Sequence, residues 1–136
     1  MACLDTSAVL DLMGRGGSSR RRDVLGPVRS ALGRGEYLAT TRFTVAELWV
    51  GIGLARDAVR EEAEVEAAMS ALVVLDFDQQ GARTFARIQS HLRRAGLPSG
   101  DMDVLIASVT LTNGHRLITG NPRHFIGIPD LVVDSY

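Results

Sequence analysis

With 136 residues, 46% of them hydrophobic, the chain has the length of one ordinary domain and enough apolar side chains for a real core, which excludes a disordered polymer. Its 15 basic and 16 acidic residues leave a net charge of −1, so total charge argues neither for nor against a nucleic-acid partner. No apolar run reaches the ~18 residues of a membrane span, and Asp5 interrupts the apolar start before it can read as a signal peptide, so a soluble cytoplasmic protein away from membranes is expected.

In chain order, residues 2–4 read as a short apolar strand followed at once by Asp5-Thr6-Ser7. Cys3, the only cysteine, sits in that run as a small buried hydrophobe and leaves no disulfide or thiolate metal cluster to consider. Ala8, Val9, Leu12 and Met13 recur at helical spacing. Residues 14–22 (GRGGSSRRR) lack periodicity and are expected to form a mobile loop, with Asp23 capping a helix that runs to about Leu32 and ends at Gly33 and Gly35. A second strand is expected over residues 37–40. Residues 44–54 predict a helix with Val45, Leu48, Trp49 and Ile52 facing inward, and residues 57–72 its partner, with the acids at 61, 62, 64 and 66 on a solvated face.

Residues 73–75 form a third strand candidate, and Asp78 is expected to cap a helix to Ala95, closed by Gly96 with Pro98 beyond. Asp101 and Asp103 open a further helix, pinned by Met102, Leu105, Ile106 and Val109 and ending at Asn113-Gly114. A fourth strand over 116–119, a turn over 120–123 and a last strand over 131–133 complete the chain. His91 and His115 read as surface positions near helix ends. Short apolar strands separated by helices predict an α/β fold, a parallel sheet covered on both faces, with no repeat and no second domain.

In an open α/β sheet, sites form in the crevice beyond the carboxyl ends of the strands. Asp5 lies just past the first strand, Glu47 shortly past the second, Asn121 two residues past the fourth, and Asp101 and Asp103 open the helix leading into that fourth strand. Carboxylates gathered without His or Cys suit a hard divalent cation, magnesium or manganese, held partly through water. Such an ion offsets their mutual repulsion, lowers the pKa of a bound water and stabilises charge on an attacked phosphate, which is the chemistry of phosphodiester hydrolysis. Each acid also has a purely structural reading. Asp5 can be a helix N-cap, Thr44-Val45-Ala46-Glu47 matches a capping box, and Asp78 reads as a cap.

At this point the residues match a family. Leu4-Asp5-Thr6-Ser7, Ala46-Glu47-Leu48, Asp103-Val104-Leu105-Ile106-Ala107-Ser108, and Leu117-Ile118-Thr119 leading into Asn121-Pro122-Arg123-His124-Phe125 resemble the PIN-domain nucleases, in order and over nearly the whole chain. The type they are most similar to is the VapC toxin of bacterial toxin–antitoxin pairs. The resemblance implies an α/β/α sandwich with a central parallel sheet of four or five short strands, formed by residues 1–136 as one PIN-like nuclease domain. It implies a Mg2+- or Mn2+-dependent endoribonuclease, a cognate VapB-type antitoxin and a homodimer. Carried over residue by residue, Asp5, Glu47 and Asp103 match the catalytic, metal-holding acids. Asp101 sits where an auxiliary acid is frequent, and Asn121 stands where the family often has Asp, which removes one negative charge from the metal site.

Thr6 and Thr119 are candidates for orienting the carboxylates or the substrate. All 15 bases are Arg, which reads first as compositional bias. Arg15, Arg20, Arg21, Arg22, Arg42 and Arg123, with His124, are the candidates for contacting RNA phosphates near the acids, with scattered solvated arginines as the plainer alternative. Trp49 reads as core rather than as a stacking platform. Three other functions remain open: a PIN-like nuclease in RNA processing without an antitoxin, a catalytically inactive PIN scaffold, and a receiver-like signalling module. The last would want a Lys near its final strand, and this chain has none.

Overall fold

A computed structural model describes residues 1–97 and 99–136. Five strands form one sheet in the order β3-β2-β1-β4-β5: β1 (Ala2–Leu4), β2 (Leu38–Thr41), β3 (Val73–Leu75), β4 (Arg116–Thr119) and β5 (Val133–Ser135). Every pairing is parallel, and β1 lies at the centre with Leu4 opposite Thr40 on one side and Ile118 on the other. The chain winds outward from β1 through β2 and β3, then returns to place β4 and β5 on its other flank. That reversal puts the switch point beside the carboxyl ends of β1 and β4.

The helices are α1 (Thr6–Leu12), α2 (Gly17–Gly33), α3 (Arg42–Leu54), α4 (Ala58–Met69), α5 (Gln79–Ala95) and α6 (Asp101–Thr112), with a short 3₁₀ turn at Pro122–Phe125. Successive strand residues face opposite sides of a sheet, so Leu117 enters one core and its neighbour Ile118 the other. On one face Leu4 and Ile118 pack with Val9 of α1, Val24 and Val28 of α2, Leu48 and Ile52 of α3 and Val65 of α4. On the other, Leu117 packs with Ile88 and Leu92 of α5 and Val104 and Ile106 of α6. The result is the three-layered α/β/α arrangement with a parallel sheet of five strands. Among the described residues no helix is long and apolar enough to cross a membrane.

Several local expectations need correction. Residues 17–22 are not a loop: they are the opening turns of α2, and Asp23 lies inside that helix rather than at its cap. The segment carries no apolar period because its first core residue is Val24, and its register is held by polar contact, Arg20 Nε donating to Asp11 Oδ2 at 3.0 Å. The capping box expected at Thr44 does not form. Thr41 is the N-cap of α3, its Oγ1 accepting from the Thr44 amide at 3.1 Å, which starts the helix two residues earlier and frees Glu47 from a capping role. Trp49 is 47% exposed, because Leu48 and Ile52 supply the buried side of α3. On α6 Ile106 and Val109 are buried as expected, but Met102 is exposed and Leu105 only half-buried, while Val104 and Ala107 are buried in addition, since that helix packs against both α5 and the sheet.

His115 is buried, at 7% exposure, with its Nδ1 2.6 Å from the Asn113 carbonyl and its ring edge-on to Tyr37; the close of α6 folds it inward rather than presenting it to solvent. The last strand lies two residues later than expected, because Val133 is the residue that pairs with Leu117. Elsewhere Asp78 does cap α5, accepting from the Gly81 amide at 2.8 Å, and Gly96 closes that helix at φ +66°. Pro98, expected just beyond it, lies outside the described residues.

Candidate active site

Asp5 follows β1 directly and is the N-cap of α1. Its Oδ1 accepts from the Ala8 amide at 2.8 Å and from the Ser7 hydroxyl at 2.7 Å, while its Oδ2 accepts from the Thr119 hydroxyl at 2.5 Å. Thr119 ends the neighbouring strand β4, so the parallel pairing of β1 with β4 is what brings donor and acceptor together across the sequence. The loop behind Thr119 is fixed to the same group: the Gly120 amide donates to Ser7 Oγ at 3.0 Å and the Asn121 amide to Thr119 Oγ1 at 2.9 Å. The helix-cap reading of Asp5 is therefore correct and incomplete. A cap needs one oxygen; here both are committed, at a residue only 5% exposed.

Glu47 projects from α3 and accepts a hydrogen bond from the Thr6 hydroxyl. Asp103 lies in the first turn of α6, half-buried, with its Oδ2 3.3 Å from His124 Nδ1. Asp5, Glu47, Asp103, Asn121 and His124 line one cleft of about 230 Å³ at the carboxyl ends of β1 and β4. Burial raises the Asp5 carboxyl above its ordinary range, with Asp103 adding repulsion and the hydrogen bonds from Thr119, Ala8 and Ser7 opposing it. Asp103 is also raised, again by burial first, with His124 pulling the other way. Two carboxylates held upward in one cleft favour a proton or a cation there.

Of the residues singled out from sequence, the cleft gathers Asp5, Thr6, Glu47, Asp103 and Asn121, with Thr119 bonded behind Asp5. Asp101 turns away: it takes a hydrogen bond from Gln89 Nε2 of α5 at 2.9 Å and does not line the cleft. Arg15 also lies elsewhere, paired with Glu61 at 2.8 Å and with Glu64, both on α4. Arg20 pairs with Asp11 and Arg42 with Asp76, at 3.0 and 2.7 Å, whereas the exposed Arg123 shares a cavity lining with Asp103 and has no ion pair among the described residues.

Sequence reasoning missed two contributions. Ser7 is signalled only by its spacing, a hydroxyl two residues after an Asx cap. His124 reads from sequence as an RNA contact and not as a partner of Asp103, because nothing local ties the 3₁₀ turn to the start of α6.

Among the described residues no three His, Cys, Asp or Glu side chains form a group able to hold an ion by direct contact alone. The donor set still has the chemistry of a hard-cation site: three carboxylates and Asn121 line one open cleft, two of the carboxylates raised by burial. A magnesium-like ion, which keeps part of its water shell, fits such a loose arrangement; a zinc-like ion, which wants tight N or S ligands, does not.

Comparison with known proteins gives the chain a family and a set of relatives. The family model described as PIN domain matches residues 2–130. The chain is 32% identical to the tRNA(fMet)-specific endonuclease VapC of Salmonella typhimurium, over 73% of this chain and 75% of that protein. It is 29% identical to ribonuclease VapC2 of Haemophilus influenzae, over 90% of this chain and 87% of that one. Among solved structures, a chain of the DNA-bound VapBC complex from Salmonella typhimurium superposes with a TM-score of 0.84 at 28% identity, covering 98% of this chain and 96% of that chain.

Proposed function

The chain belongs to the PIN-domain family, and from that premise we propose that it is a divalent-metal-dependent endoribonuclease, the toxin of a VapBC-type toxin–antitoxin pair. The observation that carries the reading is the meeting of Asp5, Glu47 and Asp103, from three distant segments, on one cleft at the switch point of the sheet. Asp5, Glu47 and Asp103 would hold Mg2+ or Mn2+, with Asn121 adding an amide oxygen. Bound there, such an ion lowers the pKa of a water and stabilises the charge that gathers on an attacked phosphate.

The chain's own residues supply the rest. Thr119, Ser7 and the Ala8 amide fix both oxygens of Asp5, so this carboxylate needs no reorganisation when charge develops. Thr6 donates to one oxygen of Glu47, and His124 Nδ1 stands 3.3 Å from one oxygen of Asp103. Arg123 stands at the rim, where a contact to phosphate positions RNA without reading its sequence. Asn121 in place of a fourth acid lowers the negative charge of the cleft and favours one tightly held ion over two.

The partners follow from the same reading: a VapB-type antitoxin, a second copy of the chain, and RNA met in the cytoplasm. Trp49, Val50 and Leu54 on α3 and Val59 on the adjoining α4 are large apolar side chains left exposed, which supports a covering protein surface. The test is to sequence the 5′ ends of cellular RNA after brief expression of the wild type and of Asp5→Asn. New 5′ ends and growth arrest with the wild type alone are the expected result. Identical RNA ends in both would count against the reading.

A further inference from the structure

A second cavity, of about 420 Å³, adjoins the acidic cleft. Asp103 and His124 line both, so these two residues form the boundary between them. Beyond it stand Leu97 and Ile126, 41% and 63% exposed, with Arg123 beside them. Large exposed apolar side chains beside a free cation are costly unless something covers them.

The walls of this cavity are built rather than incidental. Ser99 Oγ donates to the His124 carbonyl at 2.9 Å, tying the approach to α6 to the 3₁₀ turn after β4. Gly127, at φ +81°, lets Leu97 close on the same segment: a Cβ there would come within 2.7 Å of Leu97 Cδ1. The Leu97 amide is held in turn by the Leu92 carbonyl at 2.9 Å. The volume falls within the range of roughly 300–1,000 Å³ that takes small organic groups.

We propose that this cavity is a nucleotide subsite, which takes one unstacked nucleotide next to the phosphodiester being cut. The base rests on Leu97, Ile126 and the His124 ring, and its phosphate meets Arg123. Continuity with the cleft through Asp103 and His124 fixes the occupant as part of the substrate, and the cation fits its charge. A base can enter an apolar cavity only when it is unpaired and splayed from its neighbours, so the subsite engages the single-stranded or looped form of the substrate. The subsite deepens the ribonuclease reading and rests on it.

The test uses RNA stem–loops with a randomised loop, the cut position being read by sequencing. The preferred loop is then remade with an abasic residue on either side of the cut, and also annealed to its complement. For the wild type, the abasic residue on one flank is expected to lower kcat/KM by about tenfold, mostly through KM, and the duplex to resist cleavage. In Ile126→Ser and Leu97→Ser the intact loop should be cut more slowly and the abasic change should matter by less than about twofold, with Ile126→Leu restoring the wild-type pattern. The subsite is overturned if the wild type ignores the abasic change on both flanks, if the penalty is undiminished in Ile126→Ser, or if duplex is cut as readily as the loop. Failure of the ribonuclease reading looks different: no oligonucleotide is cut at all.

Discussion

At the scale of single residues the cleft is organised around Asp5. Its two oxygens take three hydrogen bonds while its side chain is nearly sealed from water, so each donor matters. Thr119→Val removes the donor to Oδ2 and leaves a buried oxygen unpaired. The variant is expected to lose about 1–3 kcal/mol of stability, read by denaturant unfolding. Partners that orient a metal-binding group typically matter by about 10- to 100-fold, and cleavage by Thr119→Val should fall by that factor, read as kcat/KM on a fixed RNA. Arg15 gives the contrasting case. Its guanidinium is spent on Glu61 and Glu64, away from the cleft. Arg15→Ala should leave cleavage unchanged and cost no more than about 1 kcal/mol, the usual worth of an exposed pair. From sequence Arg15 and Arg123 look alike, two arginines following glycine or proline in loops. Only the fold separates them, because an arginine's partner is set by which helix passes it in space.

At the scale of elements, the sheet and most of the helices are legible in the chain before any coordinates. Strands as short as residues 73–75 show because they are apolar runs between helical periods, and Asp78 and Gly96 announce the ends of α5 through backbone chemistry that needs no tertiary context. Asp78→Ala should destabilise the protein by about 1 kcal/mol, checked by urea unfolding, since the Gly81 amide loses its partner. What stays hidden is held by contacts across space. The first turns of α2 have no apolar stripe and are anchored by Arg20 on Asp11, so hydrophobic periodicity has nothing to report there. Thr41 and Thr44 both offer a capping hydroxyl, and the choice between them is made by where β2 ends. The three acids were legible as candidates because each follows a strand or opens a helix. That they share a cleft is a consequence of strand order, with β4 placed beside β1 although more than a hundred residues separate them.

At the scale of the whole molecule, chemistry and stability are placed at opposite edges of the sheet. The carboxyl edge collects raised carboxylates. The other edge, just before β4 begins, buries His115, whose pKa is lowered chiefly by that burial. The unfolded chain titrates this group near 6.5, while the folded chain resists the proton. As pH falls through that value the unfolded state binds more protons than the native one, so stability is lost on acidification. Thermal unfolding from pH 7.5 to 5 should therefore show a decline in the wild type that is shallower in His115→Gln.

The central claim is that three carboxylates from distant segments act together, with a divalent ion, to cut RNA within the chain. The most direct measurement is cleavage of an end-labelled RNA by the purified protein, with Mg2+ or Mn2+ present or chelated, for the wild type and for Asp5→Asn, Glu47→Gln and Asp103→Asn, each checked for folding by circular dichroism. Discrete internal cuts that need the ion and vanish in all three folded variants are the expected result. Undiminished cleavage in any one of them, or in the presence of chelator, would contradict the claim.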